Sequence, residues 1–223
     1  MALRPPSRHL RRLAAGAAVL ALALPLSACG DDADASSDAP PQPVAEIAAV
    51  KGKNTAIKLD KGFTDALGSL GLTPGVTGGA KLVKGSLVFP ISGGNVSVFT
   101  PGEVSPYVIG QLQHEGSGLT LAAGGTTVRL SNFNVDPGVS RVYGDVAVNG
   151  QTAVTSAYLF RLDGRTLNEL ATIKDGKFAV LEGTKVFISD VAAGLLNDTY
   201  GTKAVTDQLL VGIAKITVNT KSG

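Results

Sequence analysis

Tryptophan is missing from this chain of 223 residues, cysteine and methionine occur once each, and histidine occurs twice. Each scarcity excludes something. A lone cysteine, Cys29, cannot form an intramolecular disulfide, so no disulfide framework holds the chain together. His9 lies near the start, which leaves His114 as the one histidine of any downstream domain. Zinc takes several His or Cys ligands and is not expected. Four Tyr and seven Phe supply few of the aromatic anchors that mark tight protein interfaces. Phosphate-binding glycine loops of the Walker or dinucleotide type do not occur, nor does a Gly-x-Ser-x-Gly elbow. The nearest string, Gly116-Ser117-Gly118, reads as a loop before a strand.

Acidic residues are absent from the first 28 positions, which carry Arg4, Arg8, Arg11 and Arg12. Leu13 to Leu24 then runs apolar or small, too short for the roughly 20 residues of a membrane-spanning helix. That is the layout of a secretory signal, with Arg11-Arg12 read as part of its basic region. The string Leu26-Ser27-Ala28-Cys29 resembles the lipobox of bacterial lipoproteins. The resemblance implies that residues 1–28 are a signal peptide and that Cys29 receives diacylglycerol and begins the mature chain. The membrane is then a partner through that lipid, and the expected location is the extracytoplasmic face of the cell membrane, lipid-anchored. Without residues 1–28 the chain has 16 basic against 18 acidic residues, a formal charge of about −2. No basic patch remains, so nucleic acid is not an expected partner.

After Cys29 comes GDDADASSDAPPQP, which is small, acidic and rich in proline. It cannot bury enough apolar surface to fold, so residues 29–45 are expected to form a tether and 46–223 one β-rich domain. Apolar residues alternate along Leu82 to Phe89, which reads as one strand ending at Pro90, with Asn95 to Thr100 returning after a Ser92-Gly93-Gly94-Asn95 turn. Gly124-Gly125 and Asn149-Gly150 sit between alternating runs as hairpin turns, and Asp136-Pro137-Gly138 is a further turn. Helical spacing follows cap candidates at Asp60 (Phe63, Ala66, Leu67) and Ser189 (Ala192, Leu195, Leu196). The expected fold is mainly β: an antiparallel β-sandwich or flattened barrel, with two short helices in repeated strand–helix–strand units.

Chemistry is sparse. Asp136, Asp145, Asp163, Glu169, Asp175 and Glu182 mostly fall in turns, where solvated carboxylates are ordinary. Asp31, Asp32 and Asp34 lack the spacing and closing Glu of a calcium loop. A Ser-His-Asp arrangement would have to use His114. No enzyme activity and no resident cofactor are therefore expected. The most unusual segment is Tyr107 to Leu119, in which His114 is expected as a hydrogen-bonded surface residue at a strand end. With His114-Glu115-Gly116, Leu130-Ser131-Asn132 and Tyr143-Gly144-Asp145-Val146, the chain resembles the haem-transport (HtaA-like) domains of Gram-positive surface proteins. It departs from them in an extra hairpin between His114 and Ser131 and in lacking an N-terminal Trp/Tyr signature. The resemblance implies haem binding with His114 or Tyr107 as axial ligand.

The leading expectation is a non-catalytic binding or structural module of the envelope, with a small ligand or an envelope protein as partner. A carrier comes second, of haem through His114 or of an apolar molecule between the sheets. A hydrolase without a recognisable motif comes third. A carrier requires an apolar cavity of about 300 Å³ or more, an enzyme requires converging ionisable groups, and a structural module requires a solid core.

Overall fold

A computed structural model of the chain describes residues 39–221. Its strands are β1 (Ala45–Ile47), β2 (Lys53–Leu59), β3 (Thr73–Gly78), β4 (Lys81–Val83), β5 (Ser86–Pro90), β6 (Gly93–Val98) and β7 (Val108–Ala123). They continue with β8 (Thr126–Asp136), β9 (Arg141–Val148), β10 (Gln151–Asp163), β11 (Ala171–Ile173), β12 (Phe178–Ile188) and β13 (Leu210–Asn219). Helix α1 (Lys61–Ser69) follows β2, and α2 (Asp190–Tyr200) follows β12. The fold is mainly β, as expected. One antiparallel sheet runs β1-β6-β7-β8-β9-β10-β12-β13-β2-β5-β4, with β3 added on β7 and β11 on β12. The sheet curls until its far end meets its beginning. Beyond β5, the Ser92 amide donates to the Gln113 carbonyl of β7 at 2.8 Å, and the Val50 amide donates to Gly94 at 2.8 Å.

Turn chemistry sets the hairpins. Asn149 and Gly150 both take positive φ (51° and 84°), as do Gly124 and Gly125 (57° and 81°), the requirement of a two-residue turn that matches strand twist. The same device corrects one expectation. Leu82 to Phe89 is not one strand, because Lys84 and Gly85 (φ 49° and 74°) fold it into the β4–β5 hairpin. A second correction follows: the strand after Ser92 pairs with β1 and β7 and does not return on β5. Gly94 takes φ 128°, a conformation that suits glycine, in close contact with β7, where a Cβ would sit 2.0 Å from the Gln111 carbonyl oxygen.

Both helices begin where their caps predict. The Asp60 side chain accepts from the Gly62 amide at 2.8 Å, and Ser189 Oγ accepts from the Ala192 amide at 3.0 Å. Helix α1 buries Phe63 and Leu67, and α2 buries Ala192, Ala193 and Leu196. The Tyr200 hydroxyl at the end of α2 donates to the Leu121 carbonyl at 2.6 Å, which ties that helix to β7. Both strand–helix–strand segments form, but their returning strands go to different places. Strand β13 pairs with β12 and β2, whereas β3 leaves to cover β7.

The curl depends on bulges. Along β7 the buried side chains are Val108, Leu112 and His114, then Ser117, Leu119 and Leu121, so the inward parity changes across the register shift between His114 and Gly118. Strand β8 does the same, from Val128 and Leu130 to Phe133 and Val135 across the shift between Ser131 and Asn134. Gly116-Ser117-Gly118 is therefore part of a 16-residue strand and not a loop. A short chain of polar groups holds these irregularities. The Gly116 amide donates to Asn132 Oδ1 at 3.0 Å, Asn132 Nδ2 donates to Asp145 Oδ2 at 2.8 Å, and the Ser156 amide donates to Asp145 Oδ1 at 3.0 Å. Asp145→Ala removes the acceptor shared by two bulged strands, and urea unfolding should show a loss of about 1–2 kcal/mol. A loss too small to measure would mean that the bulges hold without the carboxylate.

Candidate functional site

Inward side chains do not fill the interior of the curled sheet. Leu112 and Leu119 of β7, Phe133 and Val135 of β8, Phe160 of β10 and Ile216 of β13 help to enclose a cavity of about 750 Å³. That lies well inside the range of small-molecule sites. Its mouth is formed by residues 102–107, by the turn at Pro137–Val139 and by the turn at Gly164–Thr166. The Tyr107 hydroxyl donates to the Leu167 carbonyl at 3.4 Å and so joins two sides of the rim. Burial, with the negative charge of Glu169 second, raises the Tyr107 pKa above its ordinary value.

Two charges at the mouth neutralise one another. Arg165 Nε and Nη2 donate to the Asp163 carboxylate at 2.8 and 2.9 Å, and this pairing holds the Asp163 pKa down to about 2. The guanidinium of Arg161 lies over the Phe187 ring at 4.4 Å.

His114 is in the cavity wall and 1% exposed, which corrects the expectation of a surface residue. The physical reason is the bulge: β7 does not end at residue 114 but continues, and His114 shares the inward face with Leu112. Its Nδ1 lies 3.3 Å from the Phe133 carbonyl oxygen, which can only accept, so Nδ1 carries the proton. The lone pair is then on Nε2, which accepts from the Thr55 hydroxyl at 2.8 Å. Phe89 meets the imidazole edge-on at 6.5 Å and Phe133 at 5.2 Å. Burial lowers the His114 pKa to about 4, against the raising effect of the Phe133 and Leu112 carbonyls, so the ring is neutral at pH 7.

His114 and Tyr107 thus both line one cavity, the first in its wall and the second at its rim. Cys29 lies outside the described residues. Thr55 was not singled out by the sequence; its inward position in β2 follows the strand period, but its partner is 59 residues away. The other segments that carried the family resemblance meet on the neighbouring strands β7, β8 and β9. There Asn132 and Asp145 belong to the bulge network. Gly144 leaves room for its neighbours, since a Cβ there would sit 2.9 Å from Leu159, Phe133 and the Ser131 carbonyl. Among the described residues no group of three or more His, Cys, Asp or Glu could hold a metal ion, and no helix is long and apolar enough to cross a membrane.

No protein-family model and no curated protein matches the chain. The C-terminal domain of HtaA from Corynebacterium glutamicum, known from a crystal structure, matches its fold with a TM-score of 0.51. The match covers 77% of this chain and 98% of that domain, at 9% identity. At that identity the likeness is one of fold.

The buried imidazole should make stability depend on pH. Unfolded, His114 takes up a proton below about pH 6.5, while the folded protein resists it until about pH 4. Stability is therefore unaffected by this group above pH 6.5 and falls as the pH drops from 6.5 to 4, by about 3 kcal/mol in all. Urea midpoints across that window should show this slope, and His114→Gln should flatten it. Equal slopes in both proteins would show that the imidazole is readily protonated in place.

Proposed function

We propose that the domain is a non-catalytic carrier of an apolar small molecule, held inside the curled sheet. The observation that supports this is the cavity of about 750 Å³ with largely aliphatic and phenylalanine walls. Core packing stabilises a fold, and a domain that served only as a scaffold would keep the contacts that such a volume forgoes. The cavity therefore moves the carrier ahead of the binding or structural module that the sequence favoured. The carboxylates that line it, Glu103 and Asp163, are at the mouth, and Asp163 is committed to Arg165, which gives a hydrolase no support. The lipobox-like string supports a location at the extracytoplasmic membrane face, with the carrier tethered through diacylglycerol on Cys29.

Haem is the ligand that the likeness to HtaA brings forward as a second reading. His114 offers the right tautomer, with the lone pair on Nε2, but Thr55 already engages it. The Tyr107 phenol is engaged by Leu167. Haem binding through His114 would require Thr55 to swing away, whereas an apolar body needs no such change.

Titration with the neutral fluorophore N-phenyl-1-naphthylamine tests the carrier reading. Saturable binding in the micromolar range is expected, weakened at least tenfold in Ala214→Phe, which fills the wall at a residue lining the cavity. Absence of saturable binding would sink the carrier reading. Haemin added in parallel separates the ligands: a shifted Soret band supports haem, and an unshifted one alongside fluorophore binding removes haem alone.

A further inference from the structure

The cavity wall is apolar except at one buried place. Of the buried polar residues described, Thr55 (5% exposed) and His114 alone line the cavity. A polar pair in an apolar pocket costs desolvation, and such groups generally fix the orientation of what binds there. The chemistry of this pair is narrow. Nδ1–H is held by the Phe133 carbonyl, so the ring cannot turn its proton inward without losing that bond. What faces Thr55 is an acceptor nitrogen, and the Thr55 hydroxyl is a rotor that supplies one hydrogen and accepts on its oxygen.

We infer that the ligand of this carrier is a neutral alcohol or phenol, whose hydroxyl enters between Thr55 and His114 and donates to His114 Nε2. The inference rests on the carrier reading and adds the chemical class of the ligand. On insertion the 2.8 Å Thr55–His114 bond opens: Thr55 swings aside and gives its hydrogen to the ligand oxygen while the ligand hydroxyl donates to Nε2. Every donor and acceptor is then matched, as it is in the Thr55–His114 bond that this arrangement replaces.

Other head groups match less well. A carboxylate could accept from Thr55 but would bury its charge in an apolar wall and leave Nε2 without a donor. An ammonium would bury its charge in an apolar wall with no carboxylate beside it, since Glu103 and Asp163 are at the mouth. An ether oxygen could accept from Thr55 but would leave Nε2 without a donor. A bare hydrocarbon gains nothing from the pair and leaves it as it stands. The burial that depresses the pKa of His114 acts in the same direction, keeping Nε2 an acceptor throughout the neutral range.

The test uses three ligands of one skeleton: naphthalene, 2-methoxynaphthalene and 2-naphthol, each displacing N-phenyl-1-naphthylamine from the protein at pH 7. The expected result is that 2-naphthol binds about fivefold or more tightly than 2-methoxynaphthalene, the order of a net hydrogen bond. Removing the acceptor in His114→Leu should shrink the preference to less than about twofold with the affinity for naphthalene little changed, whereas Thr55→Val, which leaves Nε2 without its own donor, should keep or enlarge it. The ranking in the unaltered protein needs no variant to fold. Equal affinity for the hydroxyl and methoxy compounds would overturn the inference, as would a preference that survives His114→Leu. Failure of all three to displace a bound fluorophore would also overturn it. Failure of the fluorophore itself to bind strikes the carrier reading instead.

Discussion

An antiparallel sheet that curls far enough to face itself has to bend its central strands without losing their hydrogen bonds, and everything inside this domain follows from how β7 and β8 do so. Each carries a bulge, and each bulge exchanges which set of alternate residues faces inward. Without the exchange, Leu112 and His114 could not share the interior with Leu119 and Leu121 of the same strand. The backbones approach closely here: at Gly118 a Cβ would lie 2.3 Å from the Leu130 carbonyl oxygen. Asn132 and Asp145 hold the bulges from outside the cavity, which leaves the inner wall apolar. Curvature and cavity are thus one feature.

The buried histidine is a consequence of that geometry with an electrostatic result. An imidazole 1% exposed among Phe89, Phe133 and Leu112 cannot be charged cheaply, and both its nitrogens have partners. It behaves as a fixed dipole with a donor end turned to the backbone and an acceptor end turned to Thr55. The mouth is arranged otherwise. There the exposed Arg165 satisfies the half-buried Asp163, and Tyr107 bridges to Leu167. Polar character at the rim is spent on holding loops together, while the buried polar residues of the wall, among those described, are one pair.

Much of the fold was legible because its signals are local. Turn glycines at Gly124-Gly125 and Asn149-Gly150, and caps at Asp60 and Ser189, act within a few residues and did so here. The misread segments are those where local signals conflict. Lys84-Gly85 lies inside an apolar run and turns it, because a positive φ at Lys84 is tolerated when Gly85 follows. Gly116-Ser117-Gly118 has the composition of a loop, yet strand pairing on both sides carries it through as a bulge. For the same reason His114 read as a strand end. The candidate site was legible only as two residues, His114 and Tyr107. Thr55 and the cavity arise from pairing between distant strands, which no short window of sequence contains.

The family resemblance can now be divided by what its residues do. Gly116, Asn132 and Asp145 hold the bulges, and Gly144 lets Phe133 and Leu159 approach. These are requirements of the curl and would be the same whatever the interior contained. Of the echoed positions, only His114 lines the cavity, and it does so paired to Thr55. A resemblance carried by such residues, together with a likeness of fold at 9% identity, speaks to how the sheet is bent. It has little bearing on what the sheet encloses. What the proposed carrier would hold follows from the wall, and there the strongest constraint is a single acceptor nitrogen beside a threonine hydroxyl.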